Sequence, residues 1–324
     1  MNQDAHKTHN GSLRNLLLLG SVFLFSVWPF STPALDPDRS IYQYNCHTWR
    51  RANGLPANAV TAIAQSEDGR LWLGTSQGLV YFDGMEFRVY SPVGEGGIEN
   101  SAITGLALRS GGGLWFGLSR GSFGFFDGRH FTSLQRQEWG GKFVDVHLVK
   151  ETHDGALLVG APGLAGKLVN TNIMTSLLPT NNADVFSLFE DQQGRIWVGT
   201  AEQGLFYWKN GRLTPFTDQL LRRVIIFAIT EDPAGNLWLG TASGLQCFDP
   251  NFRSMPAPPI ASQPKALLVD RHGVLWIGTA ATGLIRYYNG VATSFRKQDG
   301  LASDRILSLA GPMMAVCGWE PRTG

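Results

Sequence analysis

The sequence predicts an all-β protein, a β-propeller of four-stranded antiparallel blades with six complete blades and an incomplete seventh that the N-terminal strand closes. Two observations predict this fold. A short motif ending in Trp-x-Gly-Thr, or a close variant of it, recurs six times with a period of about 41 residues. Each repeat also contains short apolar runs separated by glycine-containing turns, which is typical of a meander of four strands.

One aromatic position defines the repeats and lies in the second predicted strand of each blade. It is held by Trp72, Trp115, Leu158, Trp197, Trp238 and Trp276. A four-stranded sheet of this size cannot bury both faces alone, so neighbouring blades must stack. Hairpin turns at every step argue against a parallel β-helix. We therefore expect these six side chains to form the repeat core between blades.

Turns separate the predicted strands. In the first repeat, the pair Asp83-Gly84 separates the third and fourth strands, and it recurs as Asp-Gly or Asn-Gly in three later repeats. These pairs favour the positive φ values of tight hairpins. The same interpretation assigns twelve other glycines to blade turns, namely Gly69, Gly74, Gly78, Gly194, Gly199, Gly204, Gly235, Gly240, Gly244, Gly273, Gly278 and Gly283.

The two ends of the repeat region predict how the ring closes. Residues 41–49 resemble an outer strand with no preceding partners, and residues 300–310 resemble residues 54–64, which open the first blade. The propeller is therefore assigned to residues 41–310, with a seventh blade that both ends of the chain share. Residues 311–324 have no repeat character and form an aberrant tail. Because an alternate reading frame beginning in the Met313 codon encodes the repeat signature, we hypothesise a frameshift here.

The first 34 residues predict a secretory signal peptide. A basic segment precedes an apolar stretch of about 15 residues, and small residues follow it up to Ala34. The apolar stretch is shorter than the ~20 residues of a membrane span. We expect an exported, periplasmic protein with no membrane insertion beyond this signal, and an uncleaved anchor is the alternative.

Composition excludes several classes of protein. The 27 Lys and Arg residues nearly balance 26 Asp and Glu residues, so the chain lacks the basic surface that nucleic acid needs. Three cysteines, far apart in the sequence, form neither a disulfide framework nor a zinc site. No cofactor and no metal are expected.

The repeats resemble the two-component regulator propeller repeat, found in exported sensor regions of bacterial hybrid histidine kinases. Residues 47–90 are very close to the opening repeat of that family, and the resemblance extends over residues 41–310. It implies a sensory role in two-component signal transduction (phosphorelay) for a parent protein. No kinase domain, phosphoacceptor-histidine helix or ATP-binding glycine box follows, so the resemblance implies no enzyme activity in this chain.

Several weaker patterns have a structural interpretation beside the functional one. Residues 74–78 and 117–121 match the nucleophile elbow Gly-x-Ser-x-Gly, but they fall between strands, and residues 160–167 only approximate a phosphate loop. His147 and His153 lie near acidic residues, and surface histidines are the simpler interpretation. Acidic residues recur at the first turn of the blades; they could ring one mouth of the channel or merely favour the turn. They are Glu67, Asp68, Glu151, Glu190, Asp191, Glu231, Asp232 and Asp270.

Three functions follow from the sequence. The first is a non-catalytic sensor that binds an unknown small molecule or a glycan at the propeller mouth, or that self-associates. The second is a propeller lyase or glycosidase. The third is a structural interaction module, or the remnant of a broken histidine kinase gene.

Overall fold

The computed structural model describes residues 47–57, 60–66, 68–94, 102–119, 121–134, 145–169, 173–177, 184–311 and 315–318. All of them belong to one compact unit, Pro33–Gly324. The predicted signal peptide and residues 41–46 lie outside the described residues.

The described strands form six four-stranded antiparallel sheets and one two-stranded sheet, each in sequence order. The first strands are β1 (Val60–Gln65), β5 (Ile103–Leu108), β9 (Leu148–Glu151), β13 (Val185–Glu190), β17 (Ile226–Glu231), β21 (Pro264–Val269) and β25 (Ile306–Ala310). The second strands are β2 (Leu71–Thr75), β6 (Leu114–Leu118), β10 (Leu157–Ala161), β14 (Ile196–Thr200), β18 (Leu237–Thr241), β22 (Leu275–Thr279) and β26 (Ala315–Gly318).

The outer half of each complete blade consists of a third and a fourth strand. The third strands are β3 (Gly78–Phe82), β7 (Phe123–Phe126), β11 (Leu164–Val169), β15 (Leu205–Lys209), β19 (Gly244–Phe248) and β23 (Leu284–Tyr288). The fourth strands are β4 (Phe87–Tyr90), β8 (Phe131–Ser133), β12 (Ile173–Ser176), β16 (Arg212–Pro215), β20 (Ser254–Met255) and β24 (Val291–Phe295). The predicted all-β propeller of four-stranded blades is thus confirmed.

The seven first strands contact one another in sequence, and β25 of the seventh blade contacts β1 of the first. The first strands therefore surround the propeller axis, and the fourth strands lie at the rim. The described helices are single 3-10 turns, Arg51–Asn53, Gln219–Leu221 and Lys297–Asp299. No helix within the described segments has the length and apolar character that crossing a membrane requires.

The core lies between blades, and the repeated aromatic position carries it. Trp197 of the fourth blade is fully buried and packs in one cluster with Ile229, Leu237 and Leu239 of the fifth. The same arrangement recurs around the ring, so each side chain at this position contacts the following blade. Leu158 of the third blade packs in the same way, against Val185 and other residues of the fourth blade. Truncating one of the indoles to Ala removes contacts worth ~3–5 kcal/mol.

Four of the twelve turn glycines do not lie in turns, which corrects the prediction for Gly74, Gly199, Gly240 and Gly278. Each lies inside a second strand, next to the first strand of the following blade. A Cβ on Gly278 would approach Ile306 Cγ2 to 2.7 Å, so only a glycine lets the blades approach this closely. The other eight have positive φ and lie in or beside turns.

The threonine of the motif closes the turn between the second and third strands. The Thr241 hydroxyl donates to the Gly244 carbonyl at 2.8 Å and accepts the Ser243 N–H at 3.1 Å. Thr75 and Thr279 are bonded in the same way. The whole Trp-x-Gly-Thr motif is therefore explained by packing and turn geometry.

The seventh blade differs from the prediction at both of its ends. Residues 315–318 of the tail pair with β25 as a second strand, although the tail lacks the repeat motif. Pairing of this kind uses backbone groups, so it does not require the motif side chains. Residues 47–50 are not in a strand, and Trp49 packs against Phe82 and Phe87 of the first blade. The predicted outer strand at 41–46 lies outside the described residues.

Candidate functional site

A β-bulge interrupts the first strand of a blade next to its first residue. The pairing with the second strand slips by one residue in six blades, at Thr61, Thr104, Phe186, Phe227, Lys265 and Leu307. His147 holds the corresponding position in the third blade, directly before β9. Bulges redirect side chains and are frequent beside functional sites. We call these seven residues the bulge ring; they lie around the axis at one end of the propeller.

In the first three blades, the bulge ring holds adjacent blades together. The Thr61 hydroxyl donates to the Ile103 carbonyl of the next blade at 2.5 Å, and Thr104 donates to the Val146 carbonyl at 2.6 Å. His147 Nε2 lies 2.9 Å from the Val185 carbonyl, and its Nδ1 lies 3.1 Å from the Asp145 carbonyl. Each of these polar side chains is therefore already engaged.

The next blades present aromatic and cationic side chains instead. Phe186 is 38% exposed, and its ring lies edge-to-face with that of Phe227, with centroids 5.9 Å apart. Lys265 Nζ lies 3.1 Å from the centre of the Phe227 ring. In the fourth blade Ser187, one residue after the bulge, makes the inter-blade bond by donating to the Ile226 carbonyl at 3.1 Å. Phe186 itself takes no part in this inter-blade hydrogen bond.

The positive charge beside these rings is that of Lys265. Burial lowers the pKa of its ammonium, and the charge of Arg305, an exposed residue directly before β25, lowers it further. We call Phe186, Phe227 and Lys265 the aromatic–cationic arc. It can stack an apolar ring and attract an anion.

The opposite ends of the first strands carry the acidic turn residues, and these are structural. Asp191 is buried, accepts the backbone N–H groups of Gln193 and Arg195, and accepts the Trp197 indole N–H at 2.7 Å. Asp232 and Asp270 accept the indole N–H six residues later in the same way, both at 2.9 Å. The interpretation of these acids as turn formers therefore accounts for their contacts, and they also orient the core tryptophans.

The glutamates that precede these turns connect successive blades. Glu231 accepts the backbone N–H of Gln192 in the previous blade at 2.7 Å, Glu190 accepts that of His153 at 2.7 Å, and Glu151 accepts that of Ser110 at 2.8 Å. At the next interface the donor position is Pro233, which has no N–H, and the acceptor position is Val269. Donor and acceptor are thus replaced together.

Three blades depart from the aspartate–tryptophan pattern. In the second blade Arg109 replaces the aspartate, and the Trp115 indole donates instead to Glu151 of the third blade at 3.0 Å. In the third blade Thr152 replaces the aspartate and Leu158 replaces the tryptophan, so neither partner is needed. In the first blade Ser66 stands six residues before Trp72, in place of the aspartate, and its hydroxyl donates to Asp68 at 2.6 Å. Glu67 lies outside the described residues.

Where the structure describes them, the catalytic-looking motifs are parts of strands and of the turns between strands. Residues 74–78 span a strand-to-strand turn, and residues 117–121 include Arg120, which lies outside the described residues. Residues 160–167 comprise the end of β10, the turn after it and the first part of β11, and Lys167 in β11 pairs with Asp154 at 2.8 Å. His153 Nδ1 lies 2.9 Å from Glu190. Among the described residues, no group of three His, Cys, Asp or Glu side chains could hold a metal ion.

The bulge ring was missed by the sequence interpretation, although a local signal exists. Five of the bulge residues lie between an aliphatic residue and a small one, as in Val60-Thr61-Ala62, Val185-Phe186-Ser187 and Ile306-Leu307-Ser308. The residue in the middle varies from blade to blade. Variation at a fixed position of a repeat marks a surface that is not needed for packing.

Comparison with protein families agrees with the repeat pattern. Residues 54–77, 170–202 and 220–243 match the family model described as two component regulator propeller. These three segments are similar to two component regulator propeller repeats. No curated protein sequence matches the chain.

Solved structures share the fold of these repeats. The extracellular domain of a hybrid two component system from B. thetaiotaomicron superposes with a TM-score of 0.71 at 19% identity, over 84% of this chain and 40% of that one. The extracellular domain of a one component system from the same organism gives 0.67 at 20% identity, over 82% and 38%. This chain thus spans about two fifths of their length. Virginiamycin B lyase from Staphylococcus aureus gives 0.66 at 13% identity, over 81% and 93%.

Proposed function

We propose that this propeller is the ligand-binding part of an exported, non-catalytic sensor that acts in two-component signal transduction. The observation that carries the proposal is the asymmetry of the bulge ring. Thr61, Thr104 and His147 bond adjacent blades, whereas Phe186 remains exposed beside Phe227 and a cation. A site at the axis, where seven blades meet, is also well placed to bind a small molecule or a glycan.

The comparisons support the sensory role. The matching family model is that of two component regulators, and two structural neighbours are extracellular domains of such systems. In this proposal a partner or a further domain carries the signal onward. Ligand binding would change the relative stability of two arrangements of that assembly.

A lyase reaction would need a base at the axis, and His147 is the only histidine of the bulge ring. Both of its ring nitrogens lie within 3.1 Å of backbone carbonyl oxygens, so both are already directed at main-chain groups rather than at a substrate. This arrangement favours a binding role over catalysis. The structural neighbour that is a lyase shares the fold, which several activities use.

The proposal is tested by thermal unfolding of the purified chain in the presence of a panel of soluble sugars and small organic acids. A ligand that binds the folded state raises the melting temperature in proportion to ln(1 + [L]/Kd). We expect at least one class to raise it, and Phe186→Ala to abolish that shift. A chain that no compound stabilises would be a structural module instead.

Export is tested separately by fusing residues 1–60 to alkaline phosphatase, which is active only after export. Active fusions in bacteria would support the predicted signal, and loss of activity on replacing Leu17 and Leu18 with Arg would tie export to the apolar stretch.

A further inference from the structure

The half of the bulge ring around Phe186 and Phe227 offers aromatic faces and almost no neutral hydrogen-bonding groups. Phe186, Phe227 and Leu307 have no polar side-chain atoms. The hydroxyls of a sugar placed against them would lose water without gaining partners, which costs free energy for each group. An aromatic ring loses little on transfer from water, and it can complete the edge-to-face arrangement that Phe186 and Phe227 begin.

The same half carries a fixed positive charge. Within the described part of the chain, the Lys265 ammonium makes no ion pair and no hydrogen bond, and it lies over the Phe227 ring. A carboxylate bound at Lys265 would give this ammonium a counter-charge and accept charge-assisted hydrogen bonds from it.

From these two features we propose that the aromatic–cationic arc binds a small aromatic carboxylate, with its ring against Phe186 and its carboxylate at Lys265. This inference rests on the proposed function and gives its ligand a chemical class.

The experiment measures the affinity of the purified chain for benzoate by isothermal titration calorimetry, with two comparison probes. Benzamide has the same shape without the charge, and glucuronate has the carboxylate without the aromatic ring. We expect benzoate to bind and each comparison probe to bind about tenfold more weakly or worse, because each lacks one of the two contacts.

Variants locate the site. Lys265→Met keeps the aliphatic contact with Phe227 and removes the charge, and we expect it to weaken benzoate binding about tenfold or more without affecting benzamide. Phe186→Ala should weaken both. Lys209→Met and Arg212→Gln remove positive charges at an outer hairpin of the fourth blade and serve as matched controls, with affinity unchanged. Unliganded melting temperatures confirm that each variant folds.

Two results would overturn the inference. Equal affinity for benzoate and benzamide, or an undiminished affinity in Lys265→Met, would show that the arc does not select a carboxylate. Tighter binding of glucuronate would assign the site to acidic sugars and leave the proposed function standing. If neither these probes nor the sugar panel bind, both proposals fail together.

Discussion

The buried carboxylate of Asp191 supports a stability prediction that can be worked from its contacts. It accepts four hydrogen bonds, from the backbone N–H groups of Gln193 and Arg195, the Arg195 guanidinium and the Trp197 indole. Asp191, Arg195 and Trp197 are all buried. Asp191→Ala leaves a buried guanidinium without its counter-charge, which costs ~3–5 kcal/mol.

Two assays measure the effect: unfolding in guanidinium chloride monitored by tryptophan fluorescence, and thermal unfolding monitored by calorimetry. In a domain of this size, ~3–5 kcal/mol lowers the melting temperature by about 6–20 °C. The control is Asp127→Ala, because Asp127 accepts two backbone N–H groups in an exposed hairpin and has no buried partner. Its effect should be much smaller.

A double-mutant cycle separates the indole contact from the rest. Trp197→Phe removes the indole N–H while keeping an aromatic ring. The loss of unfolding free energy that it causes should be smaller in the Asp191→Ala background, because that N–H has already lost its acceptor there. Strict additivity of the two substitutions, or an Asp191→Ala cost no larger than that of Asp127→Ala, would refute the reasoning.

Three further experiments test other parts of the structure. Pro233→Gln and Val269→Glu together should restore the missing inter-blade bond. We expect the free energy of unfolding of this double variant to exceed the value expected from adding the two single effects by ~1 kcal/mol, and additive effects on the denaturation midpoints would contradict this. Gly199→Ala places a Cβ 2.8 Å from Ile226 Cβ and should cost ~1–3 kcal/mol, whereas an unchanged melting temperature would show that the blades can separate freely. The Lys167 and Thr152 side chains lower the pKa of Asp154 to about 2, so its contribution to stability is present above the unfolded pKa and disappears as the pH falls from about 4 to about 2. Asp154→Asn should remove part of that acid dependence, by under ~1 kcal/mol because the carboxylate is largely exposed, and identical acid titrations would argue against the pair.

The sequence by itself determined the fold and the number of blades. The motif in the second strand repeats every ~41 residues, and its tryptophan, glycine and threonine each serve a requirement that is the same in every blade. Strand order also follows, because turns such as Asp83-Gly84 only allow neighbours in sequence to pair. The repeat spacing also assigns Leu158 to the tryptophan position, because a repeat keeps its register when one side chain changes.

Only the tertiary structure decided what depends on residues about 40 positions apart. Three findings each require two adjacent blades. Gly74 and Gly278 let blades pack closely rather than form turns, Trp115 donates to Glu151, and Pro233 and Val269 change together. The candidate site is of this kind as well. Phe186, Phe227 and Lys265 occupy one position in successive repeats, and closure of the ring around the axis brings them into contact, since no single blade contains more than one of them.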